Sequence, residues 1–131
     1  MASEYLLDTN IAIYFFQGLP NVTDKVRQHT LRYLTLITAA ELLYGAKRSA
    51  RREQNLRIYE QFLSRFHILY ADRRTLDVYS DLRAILKEMG RPLPLNDVWQ
   101  AALACQHGAV LVTNDQHFQG IPGLLTENWA E

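Results

Sequence analysis

Cysteine is all but absent from this chain. Its single occurrence, Cys105, has no partner for an intramolecular disulfide, and no Cys/His grouping has the spacing of a zinc site. A disulfide-stapled extracellular module and a zinc module are therefore both excluded, and a reducing compartment is expected. Net charge is missing too: 14 Lys plus Arg balance 14 Asp plus Glu, so any surface for nucleic acid must be a local patch. No apolar run is long enough to span a bilayer, and the start MASEY lacks the basic residues of a secretory leader. These absences predict a cytoplasmic protein without a membrane segment. Proline and glycine are few and punctuate short connections, with no repeat or low-complexity stretch. What is present is 48% hydrophobic residues in 131 positions, enough for one domain, 1–131, around one core.

The apolar pattern alternates between short runs and helical periods. Tyr5–Leu7 reads as a strand ending at Asp8, followed by a helix over Ile11–Phe16. Leu34–Ile37 is a second strand candidate. Thr38, with Glu41 three residues on, has the spacing of a capping box opening a helix over Ala39–Arg48. Leu56, Tyr59, Phe62, Leu63 and Phe66 give one face of a helix from about Arg52 to Arg65. His67–Tyr70 is a weaker strand. Leu76, Tyr79, Leu82, Ile85, Leu86 and Met89 mark a long helix stopped by Gly90 and Pro92. A helix over Asp97–Gln106, the apolar strand Ala109–Val112 and a short edge strand Leu124–Thr126 complete the pattern. Strands alternating with helices predict an α/β fold: a central parallel sheet of about five strands with helices on both faces. Its ligands belong beyond the carboxyl ends of the strands.

That topology gives four acids a common address. Asp8 follows the first strand and Asp115 lies three residues past Val112, while Glu41 and Asp97 fall in the first turns of predicted helices. Singly, each reads as an ordinary cap or solvated charge. Together they would repel one another unless a cation lay between them. Carboxylates without Cys or His ligands select hard cations, Mg²⁺ or Mn²⁺, which serve phosphodiester hydrolysis.

The segments LDTN at Asp8, TAAELLYGA at Glu41, LNDVWQAALA at Asp97 and LVTNDQHF at Asp115 resemble the four acidic motifs of PIN domains. They are most similar to those of the VapC-type toxins of bacterial toxin–antitoxin pairs. The resemblance spans nearly the whole chain in the right order. It implies a PIN-like three-layer fold, Mg²⁺- or Mn²⁺-dependent endoribonuclease activity on an RNA substrate, a homodimer, and a cognate small antitoxin protein that blocks the site. By this resemblance Asp8, Glu41 and Asp97 correspond to the core metal-binding acids and Asp115 to a fourth, more variable one. Asn10, Thr113 and Asn114 match polar residues that accompany them and orient ligands or water.

Other features carry their own expectations. Lys47, Arg48, Arg51 and Arg52 put four positive charges into six positions, which reads either as a solvated helix end or as a patch for RNA phosphates. Gly45 inside a helix suggests a close approach by a neighbour. Trp99 reads as a core or interface residue rather than a base-stacking platform, and Cys105 as a small buried residue. His117 is a weak candidate for a general base. Three competing functions are a phosphatase with Asp8 as nucleophile, a silent RNA-binding module, and a PIN nuclease of RNA processing. Asn10, standing where a phosphatase wants a second Asp, weakens the first. Retention of all four acids weakens the second, and the shortness of the chain weakens the third.

Overall fold

The computed structural model describes residues 4–29 and 32–131. Its elements in chain order are β1 (Tyr5–Leu7), α1 (Thr9–Phe16), α2 (Pro20–Gln28), β2 (Arg32–Thr35), α3 (Leu36–Lys47), α4 (Arg52–Leu63), β3 (His67–Leu69), α5 (Arg73–Glu88), α6 (Leu95–His107), β4 (Val110–Val112) and β5 (Leu125–Glu127). The strands form one sheet in the order β3-β2-β1-β4-β5, with every neighbouring pair parallel. The expected α/β architecture is present.

Strand side chains alternate between two faces, and the two cores follow that alternation. Leu6 and Leu111 point into a cluster with Leu82 and Leu86 of α5 and Val98, Ala101 and Ala102 of α6. Their neighbours Leu7 and Val112 point the other way, onto Ile11, Val22, Val26 and Phe62 from α1, α2 and α4. Every described residue of β4 is buried, as a strand covered on both faces must be. Sheet order reverses at β1, where the chain first builds outward through β2 and β3 and later adds β4 and β5 on the other side. Parallel sheets bind ligands at such a switch point, beyond the strand carboxyl ends. Asp8 leaves β1 there, its amide bonded to the carbonyl of Val112 at 2.9 Å.

Two local expectations need correction. The second strand ends at Thr35, and α3 begins at Leu36, three residues before Ala39. Thr35, not Thr38, is the N-cap, its hydroxyl accepting the Thr38 amide at 3.2 Å. Glu41 accordingly sits in the second turn of α3, outside a capping box. Helix α2 was unforeseen: it opens with Pro at its first position and shows only Val22 and Val26 as buried residues, too few for a readable period. No helix among the described residues is long and apolar enough to cross a membrane.

Candidate active site

Each acid reaches the site from a different element. Asp8 caps α1, its Oδ1 accepting the Thr9 amide at 3.0 Å. Asp97 lies in the first turn of α6, and Glu41 projects from the second turn of α3. Asp115 caps a short 3₁₀ turn, Gln116–Phe118, that follows β4. Three parallel-sheet crossovers bring these four side chains around one small polar cavity of about 150 Å³, lined also by Thr9, Asn10 and Gln100.

Asp8 is the fixed member of the set. It is only 8% exposed, and both of its oxygens are engaged. Gln100 Nε2 donates to Oδ1 at 3.2 Å, and the Thr113 hydroxyl donates to Oδ2 at 2.8 Å. Thr113 in turn accepts the Asp115 amide at 3.0 Å, linking the loops after β1 and β4. A carboxylate held in this way suits an ion ligand better than an attacking nucleophile, which counts against the phosphatase reading. Asp115 Oδ1 accepts the His117 amide at 2.9 Å and meets His117 Nδ1 at 2.7 Å. The imidazole itself is 80% exposed.

The acids perturb one another. Burial pushes the Glu41 carboxyl above its ordinary pKa, the charges of Asp8 and Asp97 push it further, and the Thr9 hydroxyl offsets part of the rise. Burial likewise raises Asp97, reinforced by Asp8 and Asp115 and opposed by His117. Raised pKa values from mutual repulsion in a shared cavity are what an ion of opposite charge would relieve. All donors are oxygens, so the set fits a hard divalent cation. Among the described residues, no three Asp, Glu, His or Cys side chains yet stand close enough to hold one ion. A hard cation held by one or two of these carboxylates would complete its shell with water.

The accompanying residues divide. Thr113 orients Asp8 as expected, and Asn10 lines the cavity. Asn114 faces elsewhere, donating to Tyr14 Oη at 3.4 Å. Lys47, Arg48, Arg51 and Arg52 are all exposed and do not line the acid cavity. Arg48 lies 5.5 Å from the Tyr44 ring centroid and Arg52 donates to the Lys47 carbonyl. A Cβ on Gly45 would meet open space, so the expected close approach is not there. Trp99 stacks on Tyr79 with centroids 3.7 Å apart, in keeping with a packing role. Cys105 is half-buried rather than enclosed, its thiol 3.4 Å from the Gly123 carbonyl.

Sequence reasoning missed the polar floor of the site: Thr9, Thr35, Thr38 and Gln100. The available signal was Gln100, an amide set among the apolar residues of α6 about one turn after Asp97.

Acids gathered at the carboxyl ends of a five-stranded parallel sheet of this order define the class, and residues 5–124 match the PIN domain family. Among curated relatives, Ribonuclease VapC2 of Haemophilus influenzae Rd is 36% identical over 130 residues, covering 97% of this chain and 98% of the relative. The tRNA(fMet)-specific endonuclease VapC of Salmonella typhimurium is 34% identical over 130 residues, with the same coverage of each. Among solved structures, DNA-bound VapBC from Salmonella typhimurium superposes with a TM-score of 0.90 at 33% identity, covering 98% of this chain and 99% of that one. VapBC-1 from nontypeable Haemophilus influenzae gives 0.87 at 35% identity, covering 97% and 98%. The chain belongs to the PIN-domain family and, within it, to the VapC ribonucleases.

Proposed function

We propose that this chain is a divalent-metal-dependent endoribonuclease that hydrolyses RNA phosphodiester bonds at the cavity shared by Asp8, Glu41, Asp97 and Asp115. On this reading it acts in the cytoplasm as the toxin of a toxin–antitoxin pair. The observation that carries the reading is the convergence of four carboxylates from α1, α3, α6 and the loop after β4 on one polar cavity, with Asp8 fixed from two sides.

Asp8, Glu41, Asp97 and Asp115 would hold the ion, Mg²⁺ or Mn²⁺. When bound, it supplies Lewis acidity for attack by water on a phosphodiester and for the charge of the departing oxygen. The chain's own work is orientation. Thr113 and Gln100 hold Asp8 in a fixed orientation at the cavity, and the burial and mutual repulsion that raise the pKa values of Glu41 and Asp97 are what a bound cation would relieve. Exposed Arg51 and Arg52 would meet the substrate backbone outside the cavity and add affinity without sequence information.

The similar solved structures are toxin–antitoxin assemblies, which supports a cognate small antitoxin protein as the partner; on the same reading the toxin itself is a homodimer. A basic side chain of that partner entering the acid cavity would compete with cation and phosphate at once. The test has two arms. Purified protein should cleave RNA with Mn²⁺ or Mg²⁺ and stop when the ion is chelated. Expressed alone it should arrest bacterial growth, with relief by the small protein encoded beside it and no arrest by Asp8→Asn. Metal-independent cleavage would overturn the mechanism, and normal growth beside abundant active enzyme would overturn the toxin role.

A further inference from the structure

Gln100 is the one buried amide in the apolar stretch of α6, 1% exposed between Val98 and Ala101. A buried primary amide brings two N–H donors and a carbonyl acceptor, and its burial is costly unless they are satisfied. Here the assignment of every proton follows from one fact: the Asp8 carboxylate only accepts. The atom facing it is therefore Nε2, whose other N–H donates to Thr38 Oγ1 at 3.0 Å.

The remaining groups of the amide are engaged on α3. Gln100 Oε1 accepts from the Thr35 hydroxyl, and Thr35 Oγ1 accepts the Thr38 amide, so Thr35 has no freedom left. Thr38 Oγ1, already accepting from Gln100, also shares a hydrogen bond with Thr9 Oγ1 at 2.9 Å, in which either hydroxyl can donate. One amide thus ties Asp8, at the start of α1, to the first turn of α3.

We propose that Gln100 is a positioning residue of the acid site, fixing Asp8 directly and bracing it against α3 through Thr35 and Thr38, so that Asp8 presents its remaining Oδ2 lone pair to a cation. This rests on the metal reading above. An apolar side chain of equal length would leave Asp8 Oδ1 with the Thr9 amide alone and break the tie to Thr35 and Thr38.

The test uses Gln100→Met, close in size and without donors, measured for Mn²⁺ affinity by calorimetry, for kcat and KM on an RNA oligonucleotide, and for melting temperature. Loss of a hydrogen-bond partner of a metal ligand weakens affinity or activity by about 10–100-fold. Mn²⁺ affinity and kcat should fall by at least the lower figure, with KM for RNA unchanged. A lower melting temperature with wild-type Mn²⁺ affinity and wild-type kcat would overturn the proposal, since that is all a purely structural amide would produce. If Gln100→Met does not fold, Thr38→Val decides, because it removes the α3 acceptor that braces the amide and so loosens its hold on Asp8. A several-fold loss of Mn²⁺ affinity supports the proposal, and wild-type affinity overturns it. A wild-type protein that binds no Mn²⁺ would instead overturn the metal reading, and this inference with it.

Discussion

Two clusters of charge behave in opposite ways in this molecule. The acids Asp8, Glu41, Asp97 and Asp115 are spread over more than a hundred positions of sequence, yet they line one cavity. The bases Lys47, Arg48, Arg51 and Arg52 are crowded into six positions, yet they stay exposed on the α3–α4 connection, apart from the acid cavity. Nearness along the chain left the bases free to spread into solvent, where like charges are best placed. The acids had no such freedom, because each is tied to the carboxyl end of a strand or the start of a helix that packs there. Charges that the fold forces together are the ones to read as functional.

Breaking the acid cluster should give the largest effect. Asp8→Asn, Glu41→Gln and Asp97→Asn should each reduce RNA cleavage by more than the about 100-fold expected from losing an outer hydrogen-bond partner, with folding retained by circular dichroism. Asp115→Asn should retain partial activity, since the resemblance makes it the more variable of the four acids and its carboxylate is already paired with His117. Near-wild-type cleavage by folded Asp8→Asn would remove the acids from the mechanism altogether.

Filling the cluster should stabilise the protein. An ion that binds only the folded state at about 100 times its Kd adds about 2.7 kcal/mol, visible as a rise in melting temperature on adding Mn²⁺. The rise should vanish in Asp8→Asn, Asp97→Asn, and its persistence there would move the ion elsewhere. The bases should show a milder, purely electrostatic signature. If Arg51 and Arg52 each meet a phosphate, replacing both by Ala should flatten the salt dependence of single-stranded RNA binding by about 1.4 in the log–log slope. An unchanged slope would return them to solvent.

The smallest effect concerns the metal-free protein. Asp97 has a folded pKa above its ordinary value of 3.8, chiefly through burial and then through Asp8 and Asp115. A raised carboxyl favours the fold below its unfolded pKa, and that advantage is lost as pH rises through the folded pKa. With chelator present, Asp97→Asn should therefore melt higher than wild type near pH 7, and the gap should close as pH falls toward 4. A constant gap across that range would mean that repulsion is not its source.

Much of this was legible in advance because it rests on local regularities. The long period of α5 and the unbroken apolar run of β4 each report burial directly. The capping choice between Thr35 and Thr38 was not legible. Both have the right chemistry, and the Glu41 spacing favours the wrong one; only the contact of Thr38 with Gln100, 62 residues away, withdraws it from capping. Gly45 misled for the converse reason, since a helix-weakening residue implies a neighbour that the described fold does not supply.

The sequence by itself determined the alternation of strand and helix, the two-faced burial of the sheet and the identity of the four acids. These follow from periodicities of 2 and 3.6 residues and from side-chain chemistry. Only the tertiary structure decided which polar residues hold those acids. Gln100 reaches Asp8 across 92 positions and Thr113 reaches it across 105, and a hydrogen bond over such a span has no local signature, because its geometry exists only once the sheet has brought the two ends together.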